Sequence, residues 1–240
     1  MLHRYKIADV VFEADFVYAY SAHLYQKYVY SGQSPSKLHI GFSQKQIELE
    51  GVKNPNIPLP QLENLMVARA FSEYVLNNED GIIFHCSAIA VDGKAYLFTA
   101  PSGTGKSTHA KLWRELLGER AVMVNDDKPI IRCVDGNFYV YGSPWNGKHS
   151  LDTNCRVKIS GICHLQRGVD NQIKKVSPKD ILPIILNQTI RPNKPESMDK
   201  LLNFISKMLN SVSLFELKCN TQLESAKISF NTMAEGNYED

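Results

Sequence analysis

Apolar positions along the chain follow two periods, and they divide it into elements. From about Leu62 to Leu76, Leu65, Ala68, Phe71 and Val75 share one face at helical spacing, and Asn77, Asn78 and Gly81 stop the helix. The next stretch, IIFHCSAIAVDGKAYLFTA, holds Asp92-Gly93 between two β-rich runs, a strong hairpin signal. Its second arm, Lys94–Thr99, leads directly into a Gly-rich segment. A helix over about Lys106–Leu117 then puts Ala110, Trp113, Leu116 and Leu117 on one side, and Gly118 ends it. Val122–Val124 reads as a short strand with Asn125-Asp126-Asp127 at its C-terminal end.

Further on, Asp135-Gly136 joins Pro129–Val134 to Asn137–Tyr141 as a second hairpin, and GSPWNGKHS is a loop. Ile159–Leu165 reads as a strand. Ser177, Pro178 and Asp180 open a helix, RPNKP from Arg191 to Pro195 breaks the chain, and Met198–Leu209 is helical. Ser213–Cys219 is a strand, Thr221 to Glu224 reads as a capping box opening a last helix, and the final GNYED is expected to fray. Before all this, Tyr5 to about Pro58 mixes short β-prone runs: Ile7–Phe12, Phe16–Tyr20, Lys37–Phe42 and Gln46–Leu49. Asn54–Pro60 is a Pro- and Asn-rich connector. The pattern predicts an α/β fold with a mixed, partly antiparallel sheet. Residues 1–58 form a β-rich part packed on a core of residues 59–240.

Composition narrows the class. The 240 residues are 43% hydrophobic and 22% charged, as in ordinary soluble proteins, and the net charge of +2 gives no field for nucleic acid or an anionic membrane. Cys86, Cys133, Cys155, Cys163 and Cys219 are scattered, with no C-x-x-C pair, so reduced thiols in a cytoplasmic protein are expected. No run of about 20 apolar residues is present to span a membrane.

The chemistry concentrates after Thr99. Ala100-Pro-Ser-Gly-Thr-Gly-Lys106-Ser107 has phosphate-loop spacing, with Ala100 in place of the first Gly. Gly103 and Gly105 let backbone N–H groups turn inward toward phosphate oxygens. The following helix adds the positive end of its dipole. Lys106 reaches the β- and γ-phosphates, and the Ser107 hydroxyl ligates Mg²⁺. Asp126 and Asp127 follow about twenty residues later. One of two adjacent carboxylates can hold Mg²⁺ and the other can accept a hydroxyl proton. Neighbouring strand residues point opposite ways, so the two need not share a role.

FHCSAIAVDGKAYLFTAPSGTGKST and then VNDDKPII resemble the HPr kinase/phosphorylase family. SGTGKST also resembles the kinase motif of ATP-dependent phosphoenolpyruvate carboxykinase, which shares that core. The likeness is strong over about Ile83–Ile131 and weaker onward to about Glu235. Small members of this group accompany peptide-modification clusters and phosphorylate a serine of a precursor peptide, and GSPWNGKHS and SLFELKC resemble them. The resemblance implies a P-loop core entered from a more antiparallel sheet, with nucleotide held by Ser102, Gly103, Thr104, Gly105, Lys106, Ser107 and Thr108. It implies Asp126 as proton acceptor, Asp127 as the Mg²⁺-associated acid, and His85, on a strand, near the phosphates. It also implies a homo-oligomer. Thr108 stands where HPr kinases usually carry Glu, which favours the carboxykinase-like variant of the motif. The N-terminal part is unlike that of the bifunctional enzymes, which argues against HPr itself as acceptor and against phosphorylase activity.

Five further positions carry weaker signals. Lys148, His149 and Arg156 follow a Gly/Pro/Trp loop and are candidates to contact phosphate or acceptor, although an exposed basic loop is the stronger reading. For Trp145, core packing outweighs ligand stacking. Arg191 reads as solvated. The expectation is an ATP- or GTP- and Mg²⁺-dependent kinase acting on a hydroxyl of a peptide, small protein or small molecule. A carboxykinase would need a second metal site and a carboxylate site for which no residues stand out. The remaining alternative is a nucleotide-binding regulatory module without catalysis.

Overall fold

A computed structural model describes residues 3–192 and 194–234. The C-terminal GNYED and Asn193 of the RPNKP break lie outside the described residues. Among these residues the fold is mixed α/β, built on a curled mixed sheet. Its strand path runs β4 (Gly81–Ile83), β8 (Ile130–Val134), β9 (Asn137–Tyr141), β10 (Arg156–Arg167), β6 (Lys94–Thr99), β5 (Ser87–Val91) and β7 (Ala121–Asn125). β12 (Ser213–Cys219) pairs with β10 and with β11 (Gln172–Lys175). β10 runs parallel to both β6 and β12, whereas β5 is antiparallel to β6 and to β7.

Strand alternation explains why both faces of this sheet are covered. Along β6, Ala95 and Leu97 join one hydrophobic cluster, while Tyr96 and Phe98 join another on the opposite face. The first cluster is roofed by α5 (Pro178–Asn187) and α6 (Pro195–Leu209), through Ile181, Ile185, Leu201 and Ile205. The second is roofed by α4 (Lys106–Leu117) and α7 (Leu223–Met233). There the fully buried Trp113 packs against Tyr96, Phe98 and Phe230 at ring separations of 5.2, 5.1 and 5.4 Å.

A separate three-stranded sheet, β1 (His3–Ile7), β2 (Val10–Asp15) and β3 (His39–Gly41), precedes the large one. Tyr5, Ile7 and Phe12 from it share one hydrophobic cluster with Phe71 of α3 (Leu59–Asn78), with Ile130 and with Trp145. The N-terminal strand readings need correction. Ile7–Phe12 is interrupted by a turn at Ala8 and Asp9, both at positive φ (49° and 63°). No Gly or Asn marks that turn, and distant groups hold it. Arg132 Nη1 donates to the Ala8 carbonyl (2.6 Å), and the Tyr141 hydroxyl donates to the Asp9 carboxylate (2.9 Å). Phe16–Tyr20 is not a strand but a bend entering the short helix α1 (Ala19–Leu24). Gln46–Leu49 lies inside α2 (Gln44–Lys53), opened by a capping box between Ser43 and Gln46. At the other end, the last helix begins after Gln222, with no side-chain cap hydrogen bond from that residue, so the Thr221–Glu224 box does not form.

Candidate active site

β6, β5 and β7 are neighbours, and β6 and β7 run the same way because each is antiparallel to β5. The registers Ser87↔Phe98, Ala88↔Leu97 and Ala88↔Asn125 set the exits of β6 and β7 at one level on one sheet edge. The Gly-rich turn leaves β6 there, and the acidic pair leaves β7 there.

The turn has the backbone its sequence requires. Gly103 and Gly105 have φ of 77° and 126°, and a Cβ at either would meet nothing within 4 Å, so the space over the loop is open. The Thr104 N–H donates to the Pro101 carbonyl (3.3 Å), and α4 starts at Lys106. Ser102, Gly103 and Thr108 are exposed, and Thr104, Gly105 and Ser107 are half-buried. Lys106 alone is buried, its Nζ donating to the carbonyl of Ala100 at 2.9 Å. Burial pulls its ammonium below the usual lysine range, and the nearby Asp127 and Asp126 carboxylates act against that pull.

The acid turn is built from elsewhere in the chain. Asn125, fully buried, accepts the N–H groups of Asp127 and Lys128 on Oδ1 at 2.9 and 2.8 Å. Its Nδ2 donates to the Ser143 carbonyl and hydroxyl at 2.9 and 3.1 Å. The Asp126 N–H donates to the Leu151 carbonyl (3.1 Å), and the Cys86 N–H to the Asp127 carbonyl (3.1 Å).

The two carboxylates then differ. Asp126 is buried and accepts a 2.6 Å hydrogen bond from the buried Ser87 hydroxyl on Oδ1. Asp127 is more open and sits between two basic side chains: His85 Nε2 lies 3.2 Å from Oδ1, and Lys128 Nζ bonds Oδ2. Burial would raise the Asp127 carboxyl, but the His85 and Lys128 contacts outweigh it and hold the carboxyl below the usual range. A proton acceptor so held is a poor one, whereas a carboxylate kept ionised suits a hard cation.

His85 occupies the break between β4 and β5 rather than a strand. Its N–H donates to the Gln188 carbonyl (2.7 Å), and its carbonyl accepts from the Thr99 hydroxyl (3.2 Å), one residue before the Gly-rich turn.

Other candidates separate. Lys148 and His149 are exposed and follow Gly147, where a Cβ would come within 3.1 Å of the Asp127 Cβ, so this loop passes close over the acid turn. Arg156 does not join them. Its guanidinium stands 3.9 Å over the Tyr139 ring and 3.8 Å from Asp9, at the far end of β10 from His164, whose backbone is in register with Thr99. Trp145 is core: it is buried against Phe71 and donates Nε1–H to the Tyr25 hydroxyl at 3.0 Å. Arg191 bonds Asn187 Oδ1 at 2.6 Å on the surface.

Sequence reasoning missed Ser87, Asn125, Lys128 and Arg167, whose Nη2 donates to the Gly103 carbonyl. Of these only Asn125 and Lys128 adjoin the acidic pair in sequence. Ser87 and Arg167 reach the site through strand pairing alone.

The residues fit a nucleotide with Mg²⁺. Open, Gly-lined backbone faces the end of α4, and Ser107 and Asp127 offer hard oxygens. Among the described residues no group of three or more His, Cys, Asp or Glu could hold a metal ion. A Mg²⁺ here would draw its other ligands from phosphate and water, as is usual at nucleotide sites.

No family model and no curated protein matches the sequence. Among solved structures the chain aligns with the Hpr(Ser) kinase/phosphatase from Coxiella burnetii at a TM-score of 0.33 and 9% identity, over 64% of this chain and 93% of that one. The likeness is distant and carries no argument. Among the described residues no helix is long and apolar enough to cross a membrane.

Proposed function

We propose that the chain is a P-loop phosphotransferase of the HPr kinase-like kind, moving the γ-phosphoryl group of ATP or GTP to a hydroxyl of a peptide, small protein or small molecule. The observation that carries the reading is the shared sheet edge: strand register sets the Gly103–Lys106 turn beside Asp126 and Asp127.

On this reading the backbone N–H groups from Ser102 to Ser107 hold the phosphates, and Thr108 follows on the first turn of the helix. Lys106 neutralises charge on the γ-phosphate as it transfers. Mg²⁺, held by the Ser107 hydroxyl and the Asp127 carboxylate, would supply further positive charge at the β- and γ-phosphate oxygens. Asp126 accepts the proton of the incoming hydroxyl as the new P–O bond forms and the bond to the nucleoside diphosphate breaks. Ser87 orients Asp126 through Oδ1 and leaves Oδ2 for that proton. His85 and Lys128 keep Asp127 ionised before the metal binds. Lys148 and His149 lie on the loop over the acids, where a cation would stabilise transferring charge.

The test is transfer of label from γ-labelled ATP to candidate acceptors by wild type and Asp126→Asn. Retained nucleotide binding with transfer reduced by about 10²–10⁴-fold is expected for loss of a general base. Equal transfer by both proteins would remove Asp126 from the mechanism, and binding without transfer to any acceptor would favour a regulatory module.

A further inference from the structure

A cavity of about 660 Å³ opens beside the acid turn rather than over the Gly-rich loop, and Lys128 stands in its wall. It lies between α2, α3 and the segment Ile190–Pro192, and its volume is within the range of ligand sites. Its shape follows the helix. The lining runs along α3 from Leu62 to Leu76, roughly four turns or about 21 Å at 1.5 Å per residue. An extended chain of about six residues covers that length at about 3.3 Å per residue.

The lining is chemically graded. Ile57, Leu65, Met66 and Ile190 give half-buried apolar surface. Arg69 and Arg191 bring positive charge against Glu73, while Lys128 is paired with Asp127 and Glu50 with Lys53 at 2.8 Å. The remaining balance is positive, which suits an acidic residue in the occupant. Lys128 connects this cavity to the chemistry, because the same side chain bonds the Asp127 carboxylate.

We propose that this cavity is the acceptor site of the kinase reading, on which the inference rests, and that it holds an extended polypeptide segment. An apolar side chain of that segment seats on Leu65 and Met66. An acidic one meets Arg69 and Arg191. The acceptor hydroxyl passes Lys128 to reach the Asp126–Asp127 turn.

The experiment uses an array of synthetic decapeptides with one central serine, varied at the other positions through Leu, Ala, Asp and Lys. Two readouts are taken on it: binding of fluorescently labelled full-length protein without nucleotide, and label transfer from γ-labelled ATP. Binding is expected to favour peptides carrying one Leu and one Asp at fixed offsets from the serine by tenfold or more over Ala peptides. Met66→Trp, which fills the groove, should reduce that binding at least tenfold. Arg191→Glu should turn the preference from Asp to Lys, a reversal that misfolding cannot produce. Binding indifferent to sequence, or an Asp preference unchanged in Arg191→Glu, would overturn the proposal, as would transfer confined to small-molecule hydroxyls. Selective binding with no transfer to any peptide would leave the groove a peptide site but sink the kinase reading, so the two failures are told apart.

Discussion

The Gly-rich turn and the acid turn sit on one sheet edge, but they are held there in opposite ways. The turn from Pro101 to Lys106 is supported mainly from within: Thr104 to Pro101, Lys106 to Ala100, and two glycines at positive φ. Arg167 is the distant residue that reaches it. The acid turn depends on groups far away in sequence: Ser87, Ser143, Leu151 and the loop packed by Trp145 and Gly147. A locally determined loop stays open and shows itself in the sequence. A turn fixed by long-range contacts can place a carboxylate accurately, at the cost of depending on the rest of the fold.

The segment after α1 has its role here. Trp145 packs on Tyr25 of that segment and on Phe71 of α3 while its carbonyl accepts the Lys128 N–H of the acid turn (2.9 Å), and Asp152 accepts from the Tyr28 hydroxyl at 2.8 Å and from Lys27 at 3.0 Å. Burial, and then the Asp152 carboxylate, push the Tyr28 phenol well above its usual range, so it stays a neutral donor.

Substitutions can break this contrast. Trp145→Ala should have the largest effect, about 3–5 kcal/mol of stability lost in urea unfolding, with transfer falling as well. An effect under about 1 kcal/mol would mean that packing on Tyr25 and Phe71 does not brace the acid turn. His109 comes next. It is buried on α4, and Ser229 Oγ, which already accepts from Trp113 and donates to Ala226, accepts its Nε2–H at 2.9 Å. That leaves buried Nδ1 with no partner. Burial lowers its pKa to about 4. The unfolded chain takes up that proton nearer 6.5, so stability is full above about pH 6.5 and falls toward pH 4, by at most about 3 kcal/mol. His109→Gln should flatten this segment of the pH–stability curve, and a curve of unchanged slope would contradict the assignment.

Asn125→Ala should cost about 1–3 kcal/mol, because it removes the acceptor of the Asp127 and Lys128 N–H groups. Lys106→Met should lower transfer without the stability loss of Trp145→Ala. Removing a buried cation is neutral or slightly stabilising, while transfer falls by about 10²–10³-fold. Ser102→Ala, on the exposed turn, should stay within about 0.5 kcal/mol in stability. Calorimetry and transfer assays on these variants together would show whether one turn is spent on function and the other on support.

The same contrast explains what was legible in the sequence. Asp92-Gly93 announces its hairpin, and Lys106–Leu117 matches its helix, because spacing and Gly placement are local signals. The Ala8-Asp9 turn carries no such signal, since Arg132 and Tyr141 hold it from over 120 positions away. Gln46–Leu49 read as a short β-prone run, yet the Ser43–Gln46 box decides for helix. In the site, Lys106, Asp126 and Asp127 were readable as types at known spacing. Ser87 and Arg167 were not, because only strand register brings them in. The cavity beside the acid turn was not readable either, because α2, α3 and the Ile190–Pro192 segment enclose it together.

The central claim, that an anion-binding turn and a metal-holding carboxylate form one site, is tested most directly by titrating a fluorescent ATP analogue with and without Mg²⁺. Wild type should bind at least tenfold more tightly with Mg²⁺, and Asp127→Asn should lose that gain while still binding the metal-free nucleotide. No nucleotide binding by wild type, or the same Mg²⁺ gain in Asp127→Asn, would contradict the account.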